Sequence, residues 1–506
     1  ILTQVVFGLE VLILCHRASY YVGSAWCQMS PPDTERPAAA VGFLGEDTLP
    51  NYGEIIGKSL TTGLAQANMF VITLINSIVV GRAKAADEAE QVSIQAGLGL
   101  AMTMQAVVAF GPGNGISAVC DTLVSQAKGA DEMLSCALCL GHLRTILTLH
   151  WLMIVLPVAL AYKPLLVLAG FDPVACHYAG LYLRIVLPGM FFRNQTVLLR
   201  RFLACVGQPW ITPWAATLGS LVHVCLLACL GFWVPVEVLA WVTTASYLTP
   251  CAFLMCYLLW RPETFGLQRR WLLRYAFVFR GLGLACRLGL SNSVQMISEE
   301  LAMQAFTLMS VRLGNVAVAA SSVCFNMCGG IYAFGIGSGA TAAGLVGAAV
   351  GKGQPVVARR TAWRCVIAAG SLGIPFLVGL PALAKPMSRR FSLQLEFRDE
   401  EAPLLRLLGL SQFFEIVNVT CCSILRAASR PNIGPSLYVC VHYIIMIPLA
   451  WVLAFPANIG LFGMWLCYTI ACMLICVILA VVVWQTSFEV VARVRTESIN
   501  RQVELS

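Results

Sequence analysis

The chain has 506 residues, of which 58% are apolar and only 11% charged, with a formal net charge of +8. Soluble domains run at about 45–50% apolar and about 25% charged, so no soluble core could bury this surplus and the natural solvent is lipid. The balance excludes an ordinary soluble enzyme; with no basic domain and no RNA- or DNA-binding motif it also excludes a nucleic-acid binder.

Residues 1–50 stand apart. "ILTQVVFGLEVLILC" is apolar but short and does not begin with Met, so the chain is expected to be incomplete or processed there. Residues 18–50, with Pro31, Pro32, Asp33 and Pro37, read as a linker. A bilayer-spanning helix needs about 20 apolar residues. Twelve segments qualify, starting near residues 57, 94, 135, 174, 210, 236, 281, 315, 361, 402, 432 and 459. The expected fold class is an all-α polytopic membrane protein of twelve transmembrane helices.

Basic residues set the orientation. The loops after even-numbered segments carry Lys128; Arg193, Arg200 and Arg201; Arg261, Arg269, Arg270, Arg274 and Arg280; Lys352, Arg359, Arg360 and Arg364; and Arg426 and Arg430. The loops after odd-numbered segments carry fewer, namely Arg82, Lys84, Lys163, Arg312, Lys385, Arg389, Arg390 and Arg398. Both termini are therefore expected in the cytoplasm.

The chain also repeats itself. "TLVSQAKGA" (122–130) aligns with "GLVGAAVGK" (344–352), and "LACVGQPWITP" (203–213) with "LRAASRPNIGP" (425–435), both at an offset of 222 residues. The shared offset predicts two tandem six-helix lobes, 51–260 and 281–490, joined by a cytoplasmic loop at 261–280 and followed by a cytoplasmic tail at 491–506. Six is even, so the lobes share one orientation and are related by a pseudo-two-fold axis along the membrane normal, with a binding site between them.

No segment houses a soluble catalytic or nucleotide-binding domain. "GAAVGKGQ" (347–354) lacks the glycine spacing of a P-loop and has no Ser or Thr after Lys352. "GPGNGISA" (111–118) lies inside an apolar segment and predicts a broken or closely packed helix rather than a phosphate cradle. The cysteines fall mostly mid-segment, as small apolar residues; no metal set or cofactor is expected, and the sequons at Asn194 and Asn418 are not expected to be glycosylated. The scattered His142, His150, His223 and His442 form no catalytic spacing, which argues against an intramembrane enzyme. A transporter without an ATPase module must draw on an ion gradient, and that needs titratable or cation-binding groups inside the membrane.

Those groups are few. A carboxylate at a helix centre costs roughly 2.5–3.5 kcal/mol on insertion scales, so it must face a cavity or a partner. The clear cases are Glu299, Glu300 and Glu415; Asp121 reads as a structural residue at a helix end near a rim, and Arg184 and Arg287 as groups that snorkel or pair locally. At about 100° per residue, "MISEELAMQAF" (296–306) gathers Asn292, Gln295 and Glu299, then Met296, Met303, Glu300, Ser293 and Gln304, on one broad polar face. Ser411, Gln412, Glu415 and Asn418 repeat the pattern in the tenth segment. Thr62, Gln66, Thr73 and Ser77 form an uncharged stripe in the first, suited to interhelical hydrogen bonds or to a cavity wall.

In this combination and order the segments resemble the multidrug and toxic compound extrusion (MATE) family, of eukaryotic type. The resemblance covers about residues 50–490 and rests on "SAVCDTLVSQAKGA" (117–130), "LRIVLPGMFF" (183–192), "RRFLACVGQPWITP" (200–213), "SSVCFNMCGGIYAFGIGSGATAAGLVGAAVGKG" (321–353) and "SQFFEIVNVTCCSILRAASRPNIG" (411–434). It implies a proton-coupled exporter with a carboxylate site in the C-terminal lobe. The family's two seventh-helix glutamates, five apart, are matched by Glu299 and Gln304, so the second is lost. Glu300 stands where many relatives have Trp, Asn326 at the variable eighth-helix position, and Glu415 at the retained tenth-helix glutamate. The implied partners are a small-molecule substrate, a coupling proton (sodium being open) and the bilayer, for a monomer in a plasma or vacuolar membrane. A flippase-like or organic-anion exporter of the wider superfamily is the alternative reading.

Overall fold

A computed structural model describes residues 49–80, 88–231, 234–391 and 395–489. Expectations that fall on residues 1–48, on Arg82 and Lys84, and on 490–506 lie outside the described residues. Twelve helical spans follow one another: α1 (Tyr52–Val80), α2 (Glu90–Gly129), α3 (Met133–Leu168), α4 (Pro173–Cys205), α5 (Thr212–Leu230), α6 (Val236–Trp260), α7 (Leu282–Arg312), α8 (Asn315–Gly351), α9 (Pro355–Phe391), α10 (Leu395–Ala427), α11 (Ile433–Ala454) and α12 (Gly460–Gln485). Eleven are long and apolar enough to cross a bilayer on composition alone. The exception is α7, whose polar face lowers its hydropathy; it spans because its neighbours cover that face.

Local signals set several ends. Asn51 Oδ1 accepts from the Glu54 amide at 2.7 Å and starts α1. Asp172 caps α4 ahead of Pro173, accepting from the Ala175 amide at 2.9 Å, and this hydrogen bond holds its carboxyl below the usual range. Gly314, at φ +105°, makes the tight turn between α7 and α8. Within α2 the stretch "GPGNGISA" gives the predicted break: a π-helical turn over Gln105–Phe110, a short helix Gly111–Ser117 with Pro112 in its first turn, and a new start at Cys120.

The repeat appears in the packing. Gly347 faces Ser125, the residue 222 positions earlier, so the two lie on the axis. Gly129 abuts the Ala348 backbone and Gly351 the Gln126 backbone, which are the same contact exchanged by the offset. The Thr122 hydroxyl donates to the Arg426 carbonyl at 2.8 Å, and its mate, Gly344, packs on the Ala204 carbonyl. Two six-helix lobes thus meet along α2 and α8 about a pseudo-two-fold axis. Short helices at Pro262–Phe265 and Arg269–Arg274 occupy the connection between them.

The first helix of each lobe crosses over. Leu284, Ala285 and Leu288, at the start of α7, belong to an N-terminal-lobe core with Ile116 and Leu198, whereas Ala302, Phe306 and Met309 join the C-terminal core. Symmetrically, Ile55 of α1 is in the C-terminal core and Met69, Ile72 and Val79 in the N-terminal one. At the end of the molecule bearing Lys128 and Lys352 the lobes are therefore interlocked.

That seam leaves no room for a side chain. Gly351→Leu would drive Cβ into the Gln126 carbonyl, and overpacking of this kind costs about 1–3 kcal/mol. A lowered melting temperature in detergent is expected for Gly351→Leu. Gly379→Leu, where nothing lies within 4 Å of an added Cβ, is the control and should leave melting unchanged.

One expectation is corrected. Arg193, Arg200, Arg201 and Arg426 do not lie in loops: the first three are inside α4 and the last is inside α10. α4 runs 33 residues, well beyond the length a bilayer requires, so its last two turns hold charge within the protein rather than at the surface. These four arginines are not topology signals.

Candidate functional site

The polar face of α7 looks into a cavity walled also by α8, α10 and the broken middle of α2. Glu299 accepts from Gln295 Nε2 at 3.0 Å and from the Tyr332 hydroxyl of α8 at 3.2 Å. Glu415 of α10 is 6% exposed and accepts from the Tyr438 hydroxyl at 3.3 Å, and from Cys472 Sγ and Asn418 Nδ2 at 3.4 Å each. Asn418 also donates to the Cys472 carbonyl at 3.0 Å, which ties α10 to α12. Every one of these hydrogen-bond donors is neutral. The charge of Glu415 also reaches Glu299.

Glu299, Glu300 and Gln295 line a cavity of about 60 Å3 with Tyr332 and, from the opposite lobe, Asn114 and Arg201. It has space for a few waters and is far smaller than the about 300–1,000 Å3 of a solute pocket. Glu300 faces the opposite lobe, where its charged neighbour is Arg193 of α4. The Arg193 guanidinium lies 3.5 Å from the centre of the Phe110 ring.

A second charged cluster lies beside the cavity. Asp121 was expected as a helix-end residue near a rim; it lies in the first turn of Cys120–Gly129, completely buried. Its Oδ2 accepts from Arg201 Nη1 and from Arg426 Nε, each at 2.9 Å. Arg426 comes from the other lobe and is fixed further by Ser423 Oγ at 2.7 Å. One carboxylate thus clamps α2 and α4 to α10. Arg200, next to Arg201, donates to Gln66 Oε1 of α1 at 2.8 Å.

The structure brings together Glu299, Glu300, Glu415, Gln295 and Asn418. Gln66 serves Arg200 instead, Gln304 is half-buried but does not line the cavity, and Asn326 is exposed and donates to the Ser322 carbonyl of its own helix. Arg184 is exposed on α4, where its stem can reach a membrane surface. Sequence reasoning missed Arg201 and Arg426 as wall residues, and Tyr332, Tyr438 and Cys472 as donors. Arg426 carried a signal, a charge between apolar Leu425 and Ala427. The tyrosines and cysteine carried none, because such residues are common in any apolar helix.

A family model described as MatE matches residues 62–228 and 293–452. Multidrug and toxin extrusion protein 1 of Mus musculus is 24% identical over 419 residues, spanning 79% of this chain and 69% of the mouse protein. Protein DETOXIFICATION 14 of Arabidopsis thaliana is 23% identical over 489 residues, spanning 92% of this chain and 94% of the plant protein. Among solved structures, the eukaryotic MATE transporter AtDTX14 superposes with a TM-score of 0.75 at 21% identity over 88% of this chain and 98% of that one. A mutant of the Vibrio cholerae MATE transporter VcmN gives a TM-score of 0.75 at 14% identity over 87% and 98%.

Proposed function

The chain belongs to the MatE family, and on that premise we propose that it is a secondary antiporter exporting organic cations, drugs or metabolites in exchange for protons. The observation that carries the reading is that Glu299 and Glu415 lie half-buried and buried, respectively, between the helices and, among the described residues, are hydrogen-bonded only by neutral groups. Buried carboxylates without a cationic partner need a proton or a bound cation to neutralise them. Proton and cationic solute then compete for one site, which is what exchange requires. Glu300, beside Glu299, takes part in the same site.

The lobes rock about the α2–α8 seam. The interlocked end, with Lys128 and Lys352, faces the cytoplasm, and both chain termini lie on that side. In the described state this end is shut, so the protein awaits protons from outside. The protein acts as a monomer in a plasma or vacuolar membrane. Arg201 and Arg426 in the cavity wall, with Arg193 near Glu300, support a second reading, that the solute is an organic anion or zwitterion.

Reconstituted vesicles loaded with a panel of organic cations and anions, under an imposed proton or sodium gradient, test both readings. Accumulation of cations driven by the proton gradient is expected. Preference for anions would favour the second reading, dependence on sodium alone would replace the proton, and indifference to both gradients would overturn the antiporter.

A further inference from the structure

The α2–α8 seam is two-fold symmetric in its contacts but not in its filling. On one side of the axis Gln126 reaches across the seam, and its Nε2 donates to the Ala427 carbonyl and to Ser429 Oγ, each at 2.8 Å. The positions 222 residues away from Gln126, Ala427 and Ser429 are Ala348, Cys205 and Gly207. Ala348 ends at its Cβ, so nothing crosses, and a gap of about 130 Å3 remains between the lobes, lined by all three.

The gap has apolar walls, among them Val206 and Leu345, and a polar mouth. Lys58 of α1 and Lys128 of α2 line it from the N-terminal lobe and Thr341 of α8 from the C-terminal lobe. Thr341 is only 4% exposed, yet its Oγ1 has no hydrogen-bond partner among the described residues. Such a hydroxyl is costly to bury unpaired. Lys128 makes no ion pair among the described residues, whereas Lys58 bonds Glu54 Oε1 at 2.7 Å. Basic pockets between membrane helices at the cytoplasmic face suit phosphate-bearing lipid head groups.

We propose that this gap is a binding site for an anionic phospholipid, its phosphate held by Lys58, Lys128 and the Thr341 hydroxyl and its first methylenes lying against Val206 and Leu345. The lipid does on this side of the axis what Gln126 does on the other: it fills the seam and ties the lobes together. Because the site is built from both lobes, it exists only while this end is shut. Binding therefore shifts the population toward that state. The assignment does not depend on what the protein transports; it uses the proposed orientation only to choose the leaflet.

The test uses the full chain in neutral detergent–phosphatidylcholine micelles, with or without phosphatidylglycerol. Phosphatidylglycerol is expected to raise the melting temperature of the parent by several degrees. Ala348→Gln places in the gap the side chain that fills its mate, and should remove the lipid response while leaving the lipid-free protein at least as stable. Lys128→Gln, at a partly exposed helix end, should reduce the response and keeps the test open if Ala348→Gln does not fold. An undiminished lipid shift in a folded variant of either kind would overturn the site. A shift of the same size from inorganic phosphate alone would overturn lipid as the ligand.

Discussion

Glu299→Gln is expected to abolish solute accumulation driven by a pH gradient, with the purified protein melting within a few degrees of the parent. Glutamine keeps the shape of the side chain and an oxygen that can accept from Gln295 Nε2 or the Tyr332 hydroxyl, which now hold the carboxylate at 3.0 and 3.2 Å. What it loses is the ability to take up and release a proton or to neutralise a cation. The consequence is chemical rather than structural: loss of coupling in a folded protein. Glu415→Gln removes the other member of the pair and should have the same outcome. Glu300→Gln should be milder, because Glu300 faces Arg193 across the lobes rather than sitting among neutral donors alone. The assay is uptake of a fluorescent organic cation by reconstituted vesicles after an acid jump, with a detergent melting curve beside it. Parent-like, gradient-driven uptake by Glu299→Gln would remove Glu299 from the coupling mechanism.

The largest loss of stability is expected at Asp121. Its side chain is fully buried, with Arg201 and Arg426 bonded to the same oxygen and only 10% and 5% exposed. Removing one partner of a buried pair leaves uncompensated charge, at a cost of about 3–5 kcal/mol; here two guanidiniums are left. Asp121→Ala should therefore yield little folded protein, or protein with a strongly lowered melting temperature. Asp121→Asn keeps an acceptor and should fall between it and the parent. Combining Asp121→Asn with Arg426→Gln removes one of the stranded charges and should recover part of the loss. Size-exclusion profiles and melting curves of the four proteins provide the comparison. If Asp121→Ala melted with the parent, the clamp between α2, α4 and α10 would carry no energetic weight.

Much of this was legible in the sequence. A composition of 58% apolar and 11% charged residues required a lipid-embedded helical protein. The spacing of the apolar segments gave twelve spans, and the shared offset of 222 residues gave two lobes on a common axis. Glu299, Glu300 and Glu415 stood out because carboxylates are expensive in lipid, a property that each residue carries with it along the chain. The break in α2 was legible in "GPGNGISA" for the same local reason.

The arginines show where such reasoning stops. Arg200 and Arg201 stand five and four residues before the end of α4, and a linear reading sends charge at a segment's end to water. Only the fold reveals that Asp121 and Gln66 wait for them inside the protein. Likewise nothing in α7 announces that its first turns pack in the N-terminal lobe and its last turns in the C-terminal one, an arrangement that places Glu299 and Glu300 where the two lobes meet. Partition between water and lipid is decided residue by residue, so the sequence alone determined the solvent, the helices and the candidate carboxylates. Pairing of charges and crossing of helices are decided by distances through space between segments far apart in the chain. For that reason the tertiary structure alone decided which carboxylate clamps the lobes and which are left to neutral donors.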